Sequence, residues 1–193
     1  MKQNIINAFE ESVKTKQKII QDTEILHKIE LVISKIIECY KQNGKVLWCG
    51  NGGSAADAQH LAAELSGRFY YNRPPLYSEA LHVNTSYLTA VANDYSYDEV
   101  FARLARAILQ PKDILIGLST SGHSNNVIQA FIEAKKKNAF TIAMTGESGG
   151  KLKNYADLLI NVPSRDTPRI QEAHMMIGHT ICQLVEASLF PQK

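Results

Sequence analysis

Cysteine is scarce in this chain, and the three cysteines that it has are far apart in its 193 residues. Cys39, Cys49 and Cys182 do not form a C-x-x-C pair, which argues against a disulfide framework and against a thiolate zinc site. Isolated cysteines of this kind are usually small core residues. The sequence therefore predicts three buried thiols in a protein that works in a reducing compartment.

Long hydrophobic runs and an excess of charge of one sign are also missing. No apolar segment is long enough to cross a bilayer, and residues 1–11 mix Lys, Asn and Glu with apolar residues, unlike a signal peptide. We therefore expect no membrane contact and a cytoplasmic location. The formal net charge is only +2, too small for a field that would gather DNA or RNA, so we expect no nucleic-acid partner.

Proline is absent from residues 5–40, where apolar residues recur at helical spacing. This pattern predicts two helices, and Asn43-Gly44 provides the signal that ends the second. With 45% hydrophobic residues, the chain is large enough for one compact domain and too short for two ordinary ones. We therefore predict a single domain over the whole chain, with a helical extension at 1–43 and an α/β core plus C-terminal helix at 44–193.

The remainder of the chain alternates short apolar runs with helical patterns. Four runs predict buried strands, at 45–49, 114–118, 140–144 and 158–162. Helical patterns follow at 124–137 and at 167–189, and the proline-containing segment 68–78 is predicted to be an exposed loop. Alternating strands and helices predict a doubly wound α/β fold, with a parallel sheet covered by helices on both faces.

Two small polar turns follow two of the predicted strands. Ligands of doubly wound sheets bind at the carboxyl ends of strands, so we expect the turns 50–54 and 119–124 to be neighbours. The hydroxyls of Ser119 and Ser121, at the start of a helix, suit a phosphate, although ordinary N-capping would also explain them. The glycines of 50–54 meet the dinucleotide spacing only loosely, which argues against NAD.

Asp57, His60 and Glu64 lie in the helix predicted after the first turn. His60 and Glu64 share one helical face, which suits a divalent metal or proton transfer, although a solvated helix contact would have the same spacing. In the last helix, Gln171 and His179 are roughly 12 Å apart along the axis and rotated by about 80°. They can share an ion from opposite sides, across an irregular helix, or from different subunits.

Five segments form a specific combination of motifs: 49–60 (CGNGGSAADAQH), 63–68 (AELSGR), 92–94 (AND), 119–122 (STSG) and 169–172 (RIQE). In this order they closely resemble the phosphoheptose isomerases, and the resemblance extends over essentially the whole chain. It implies a SIS-domain, flavodoxin-like fold and a homotetramer with active sites at subunit interfaces. It also implies a bound zinc ion in each subunit.

The resemblance assigns roles to individual positions. The zinc ligands that it implies are His60, Glu64, Gln171 and His179. The substrate-contacting positions that it implies are Asn51, Gly52, Gly53, Glu64, Asn93, Asp94, Ser119, Thr120, Ser121, Ser124 and Gln171. Glu64 matches the catalytic base and His179 its acid partner. Pro168 is a departure, because some members have an acidic residue there, and no carboxylate role is carried over to it.

The reaction implied by the resemblance converts D-sedoheptulose 7-phosphate into D-glycero-D-manno-heptose 7-phosphate, the first step of nucleotide-activated heptose synthesis for lipopolysaccharide, capsule or another glycoconjugate. Moving a proton between C1 and C2 through an enediol requires a base and stabilisation of an oxyanion. Glu64 and His179 suit the proton transfers, and zinc suits the oxyanion. A zinc-bound carboxylate is a weaker base, so the two roles of Glu64 compete.

Two alternatives share the same fold. One is a non-catalytic SIS adaptor that binds the replication initiator DnaA, and the other is a SIS sugar-phosphate sensor that binds its ligand without turnover. The adaptors lack the glutamate and the last-helix histidine, whereas Glu64 and His179 are both present here. The retained acid, base and metal positions also argue against a sensor.

Overall fold

The computed structural model describes residues 1–192, which include one sheet of five parallel strands. The strands are β1 (Val46–Gly50), β2 (Ser78–Ala80), β3 (Ile114–Ser119), β4 (Phe140–Thr145) and β5 (Leu158–Asn161). Their order is β2-β1-β3-β4-β5, and each neighbouring pair is parallel. The order reverses between β1 and β3, the kind of switch point at which doubly wound proteins bind ligands. The predicted doubly wound fold is therefore confirmed.

Helices cover both faces of this sheet. They are α1 (Lys2–Gln21), α2 (Thr23–Lys41), α3 (Gly53–Ser66), α4 (Thr85–Asp94), α5 (Val100–Ile108), α6 (Asn125–Lys136) and α7 (Thr167–Leu189). One hydrophobic core lies between the sheet and α2, α3 and α7, and a second lies between the sheet and α4, α5 and α6. The site residues of α3 and α7 thus belong to the same layer.

The strands read as continuous apolar runs because both of their faces are buried. In β1, Val46 and Trp48 point into the first core, whereas Leu47 and Cys49 point into the second. The indole N–H of Trp48 donates to Ser78 Oγ (2.9 Å), which satisfies the polar atom of this buried ring. All three cysteines are buried and free, as the sequence predicts.

Within residues 1–192, the helix α1 has an apolar face that no other segment covers. Ile5, Phe9, Val13 and Ile20 are 50%, 68%, 52% and 65% exposed. Asp22 separates α1 from α2 and accepts hydrogen bonds from the first backbone N–H groups of α2. Among residues 1–192, no helix is both long and apolar enough to cross a membrane.

Four strands and the helices α6 and α7 lie within a residue or two of their predicted positions. The edge strand β2 and the helices α4 and α5 were not predicted. The prediction of an exposed loop at 68–78 is wrong at Arg73, whose side chain is only 2% exposed, and at Ser78, which begins β2. A buried partner for the charge of Arg73 accounts for its position.

Candidate active site at the carboxyl edge of the sheet

The loop after β1 opens the helix that carries much of the candidate site. Gly52 precedes α3 with a φ of +56°, a left-handed conformation that glycine adopts without strain. At Gly50, a Cβ would lie 2.6 Å from the carbonyl oxygen of Ser54, so no side chain fits there. The predicted substrate contacts Gly52 and Gly53 therefore present bare backbone at the start of α3, where helical N–H groups lack intrahelical partners.

His60 and Glu64 of α3 lie together with His179 of α7. The Nε2 atom of His60 is 3.1 Å from Glu64 Oε1 and 3.1 Å from His179 Nε2. One ligand atom from each of the three residues lies within 4.8 Å of the others. Two ligands of a tetrahedral zinc ion are about 3.3 Å apart, so this set fits zinc and leaves one coordination position for a further ligand.

The parallel packing of α3 and α7 places Gln171 apart from this cluster. Gly178 of α7 packs directly on the side chain of Leu61, and the amide of Gln171 lies against Gly53 at the start of α3. Gly53 precedes His60 by two helical turns, about 10 Å along the axis. Gln171 thus lies beside the glycine loop, and its place among the zinc ligands stays a prediction.

The turn after β3 holds the hydroxyl groups predicted to bind phosphate. The Oγ atoms of Ser119 and Ser124 are 2.8 Å apart, and Ser121 Oγ accepts a hydrogen bond from the His123 N–H (3.1 Å). Because α6 begins at Asn125, its unpaired N–H groups adjoin these hydroxyls. The arrangement suits an anion that is bound by neutral donors.

Thr120 and Ser121 also line a cavity of about 240 Å³ between the phosphate turn and the segment that leads into α7. On the opposite wall, the exposed Arg165 pairs with Glu147. The positively charged side chain of Arg165 therefore lines this cavity, although the phosphate turn itself has no lysine or arginine.

Asn51 is held by a residue that the sequence interpretation missed. The side-chain amides of Asn51 and Asn126 donate to each other's oxygen, both at 2.8 Å, and the Tyr97 hydroxyl donates to Asn51 Oδ1 (3.2 Å). Asn126 is only 3% exposed and is fixed further by the Val127 N–H (3.0 Å). Its position two residues after Ser124, facing the switch point, is the signal that could have identified it.

Asn93 and Asp94 end α4, and both are exposed. The Asn93 amide donates to the Asp94 carboxylate (2.9 Å). Within residues 1–192, neither side chain hydrogen-bonds to the other predicted site residues. Their substrate role stays a prediction.

Asp57 is one turn before His60 and is not part of the His/Glu/His cluster. Burial raises the pKa of the Asp57 carboxyl, and the nearby His60 acts in the opposite direction. Among the described residues, its buried Oδ2 has no hydrogen-bond partner. Of the three polar residues that the sequence singled out on α3, only His60 and Glu64 meet His179.

The comparisons with known protein families and with known sequences agree with each other. A family model described as SIS domain matches residues 8–146. A protein named phosphoheptose isomerase from Clostridium acetobutylicum is 48% identical over 193 residues, which cover 100% of this chain and 98% of that protein. A protein of the same name from Mycobacterium tuberculosis is 50% identical over 182 residues, covering 94% and 93% of the two chains.

Solved structures give the same result for the fold. The phosphoheptose isomerase from Neisseria gonorrhoeae matches with a TM-score of 0.90 and 39% identity, covering 96% of this chain and 98% of that one. The phosphoheptose isomerase from Francisella tularensis matches with a TM-score of 0.91 and 35% identity over the same shares. Both matches therefore extend over nearly the whole length of this chain.

Proposed function

We propose that this chain, which belongs to the SIS domain family and to its phosphoheptose isomerases, converts D-sedoheptulose 7-phosphate into D-glycero-D-manno-heptose 7-phosphate. The observation that carries the proposal is the close approach of Glu64, His60 and His179. A carboxylate and an imidazole side by side can move the two protons that an aldose–ketose isomerisation requires.

The geometry supports separate roles for Glu64 and His179 in an enediol route. Glu64, whose side chain is 24% exposed, takes the proton from C1 of the ketose and returns it to C2. His179 gives and takes the proton of the neighbouring oxygen. The ring of Phe69 lies 5.8 Å from the imidazole of His179 and limits its access to water.

The proposal includes zinc held by His60, Glu64 and His179, with Gln171 as the further predicted ligand. When bound, zinc would stabilise the negative charge that develops on the substrate oxygen. Glu64 is proposed as both base and ligand, and its two oxygens allow one atom to face His60 while the other faces the substrate carbon.

Substrate binding is proposed at the loops around this cluster. The hydroxyls of Ser119, Thr120, Ser121 and Ser124, with the N–H groups at the start of α6, hold the phosphate. Asn51, Gly52, Gly53, Asn93, Asp94 and Gln171 contact the sugar. Asn51 is supported in this role by its rigid pairing with Asn126.

We also propose a cytoplasmic homotetramer with sites shared between subunits, whose product enters the synthesis of lipopolysaccharide, capsule or another glycoconjugate. The apolar residues exposed on α1, among them Ile5, Phe9 and Val13, support assembly because such faces are usually covered by another chain.

The test follows product and solvent deuterium in purified protein given zinc and sedoheptulose 7-phosphate. We expect wild type to form the aldose and to incorporate deuterium at C1 or C2. Glu64→Gln keeps the shape but cannot accept a proton, so turnover should fall by about 10²–10⁴-fold while phosphate binding persists. Glu24→Gln, on the distant helix α2, is the matched control and should behave as wild type.

The opposite results identify the alternatives. Wild-type protein that gives neither product nor exchange would contradict an isomerase. An adaptor would retain partner binding in both Glu64→Gln and His179→Gln. His60→Ala tests the metal separately: bound zinc and activity should fall together, and turnover that survives complete removal of zinc would remove the metal from the proposal.

A further inference from the structure

The loop between α3 and β2 contains a buried charge that the proposed reaction does not use. The side chains of Arg73, in this loop, and Glu186, in α7, are only 2% and 1% exposed. Arg73 Nε donates to Glu186 Oε1 at 2.9 Å. The guanidinium also lies over the ring of Phe190, 5.6 Å from its centroid, so this ring covers the charge of Arg73.

The rest of the Arg73 guanidinium binds the carboxyl end of α3. Its Nη2 donates to the backbone carbonyl of Glu64 (2.9 Å), and its Nη1 donates to the carbonyls of Leu65 (2.8 Å) and Gly67 (3.2 Å). Carbonyls in the last turn of a helix lack intrahelical partners, and a cation there interacts favourably with the helix dipole. Arg73 therefore fixes the turn from which Glu64 projects.

Glu186 binds the loop that follows α3, as Arg73 binds the end of that helix. Its carboxylate accepts the backbone N–H groups of Phe69 (2.9 Å), Tyr70 (2.6 Å) and Tyr71 (3.1 Å) in addition to Arg73. Burial acts to raise the pKa of Glu186, but these hydrogen bonds outweigh it, and the pKa is lowered, so the group is ionised.

Glu186 is also connected to His179, through α7 and through Phe69. Glu186 follows His179 by seven residues, so both lie on one face of α7, about 10 Å apart along its axis. Phe69, whose N–H is bound by Glu186, places its ring 5.8 Å from the imidazole of His179. One ion pair thus connects the turn of Glu64 with the helix and the aromatic neighbour of His179.

Stability alone is a weak reason for such a pair. A buried ion pair loses much of its attraction to desolvation, and apolar residues of similar size often serve as well. An apolar pair cannot bind two helix carbonyls, the carbonyl of Gly67 just after the helix, and three loop N–H groups in fixed directions.

We propose that Arg73 and Glu186 are positioning residues that set the separation of Glu64 from His179. The inference rests on the proposed isomerase function for its kinetic consequence, but the positioning itself is independent of the substrate.

Arg73→Lys is the first test, because lysine retains the charge but cannot form the same set of directed bonds. In the isomerase assay we expect kcat to fall at least about tenfold, since small misplacements of catalytic groups are costly, while KM changes less than about twofold. Glu186→Gln should give the same split. Lys45→Met is the matched control. It breaks the largely buried pair that Lys45, just before β1, forms with Asp113, just before β3. This pair lies at the amino ends of the strands, away from the candidate site, so kcat should be unchanged.

A crystal structure of Arg73→Lys provides a readout without turnover. We expect Glu64 to shift relative to His179 by more than about 0.5 Å, the tolerance of a catalytic constellation. An unchanged separation, or unchanged kcat in an active protein, would overturn the inference. If neither variant folds while Lys45→Met does, the pair serves folding itself and the inference also fails. An inactive wild type would contradict the proposed function only, and the crystal structure would still decide the positioning.

Discussion

A buried histidine in α7 makes the stability of the protein depend on pH in a specific way. His174 is fully buried, and its Nε2 lies 3.2 Å from the Thr145 carbonyl oxygen. Burial lowers the pKa of His174 to about 4, although the hydrogen bond to Thr145 acts to raise it. The imidazole is therefore neutral in the folded protein at neutral pH.

The sign of the effect follows from proton linkage. In the unfolded chain the pKa of His174 returns to its ordinary value of 6.5, so below that pH the unfolded state binds more protons than the folded state. This contribution to stability is complete above pH 6.5 and is lost as the pH falls towards 4. Each pH unit in this window removes up to about 1.4 kcal/mol, or about 3 kcal/mol over the whole window.

The perturbation that tests this reasoning is His174→Gln. Glutamine can still donate to the Thr145 carbonyl but does not titrate. Denaturant unfolding of wild type and variant, at equal protein concentration and several pH values between 6.5 and 4, gives two stability curves. The two proteins differ only at residue 174, so the difference between their curves reports that side chain. We expect the wild-type curve to fall more steeply, and parallel curves would refute the reasoning.

Three further substitutions test packing, substrate binding and assembly. Gly178→Ala should lower the free energy of unfolding by about 1–3 kcal/mol, because the new methyl group collides with Leu61; a denaturation midpoint equal to that of wild type would contradict this packing. Asn126→Ala releases the amide of Asn51 and should raise KM about fivefold, equivalent to about 1 kcal/mol, in steady-state kinetics; an unchanged KM would remove Asn51 from the binding site. Phe9→Glu places a charge in the exposed apolar face of α1 and should reduce the assembly observed by sedimentation, whereas an unaltered sedimentation coefficient would exclude that face from the interface.

The sequence identifies most of the sheet because buried parallel strands are continuous apolar runs that end at glycine or hydroxyl turns. The run at 114–118 is an example, and β3 extends one residue beyond it. The edge strand β2 has only three residues, Ser78–Ala80, and exists through pairing with β1. A short segment that is defined by a distant partner leaves no periodicity to detect.

In the candidate site, too, some features could be predicted from local sequence and others depend on tertiary packing. The spacing of His60 and Glu64 within one helix can be recognised locally. Their contact with His179 depends on the packing of α3 against α7, so spacing could not predict it and only the family resemblance indicated it. Arg73 was misread because the surrounding segment is polar and contains prolines, and its buried partner Glu186 is over a hundred residues away.

The position of Gln171 leads to a prediction about how subunits share the site. In one chain the amide of Gln171 lies beside Gly53, which precedes His60 by two helical turns, about 10 Å along the axis. We therefore expect Gln171 to complete the His60 cluster of another subunit. Gln171→Ala and His179→Gln should each be inactive alone. If the two residues reach a site from different chains, equal mixing after subunit exchange should restore about a quarter of the wild-type activity, because random assembly gives that share of sites both native residues. Exchange that is verified by mass spectrometry but restores no activity would mean that both residues of a site come from one chain.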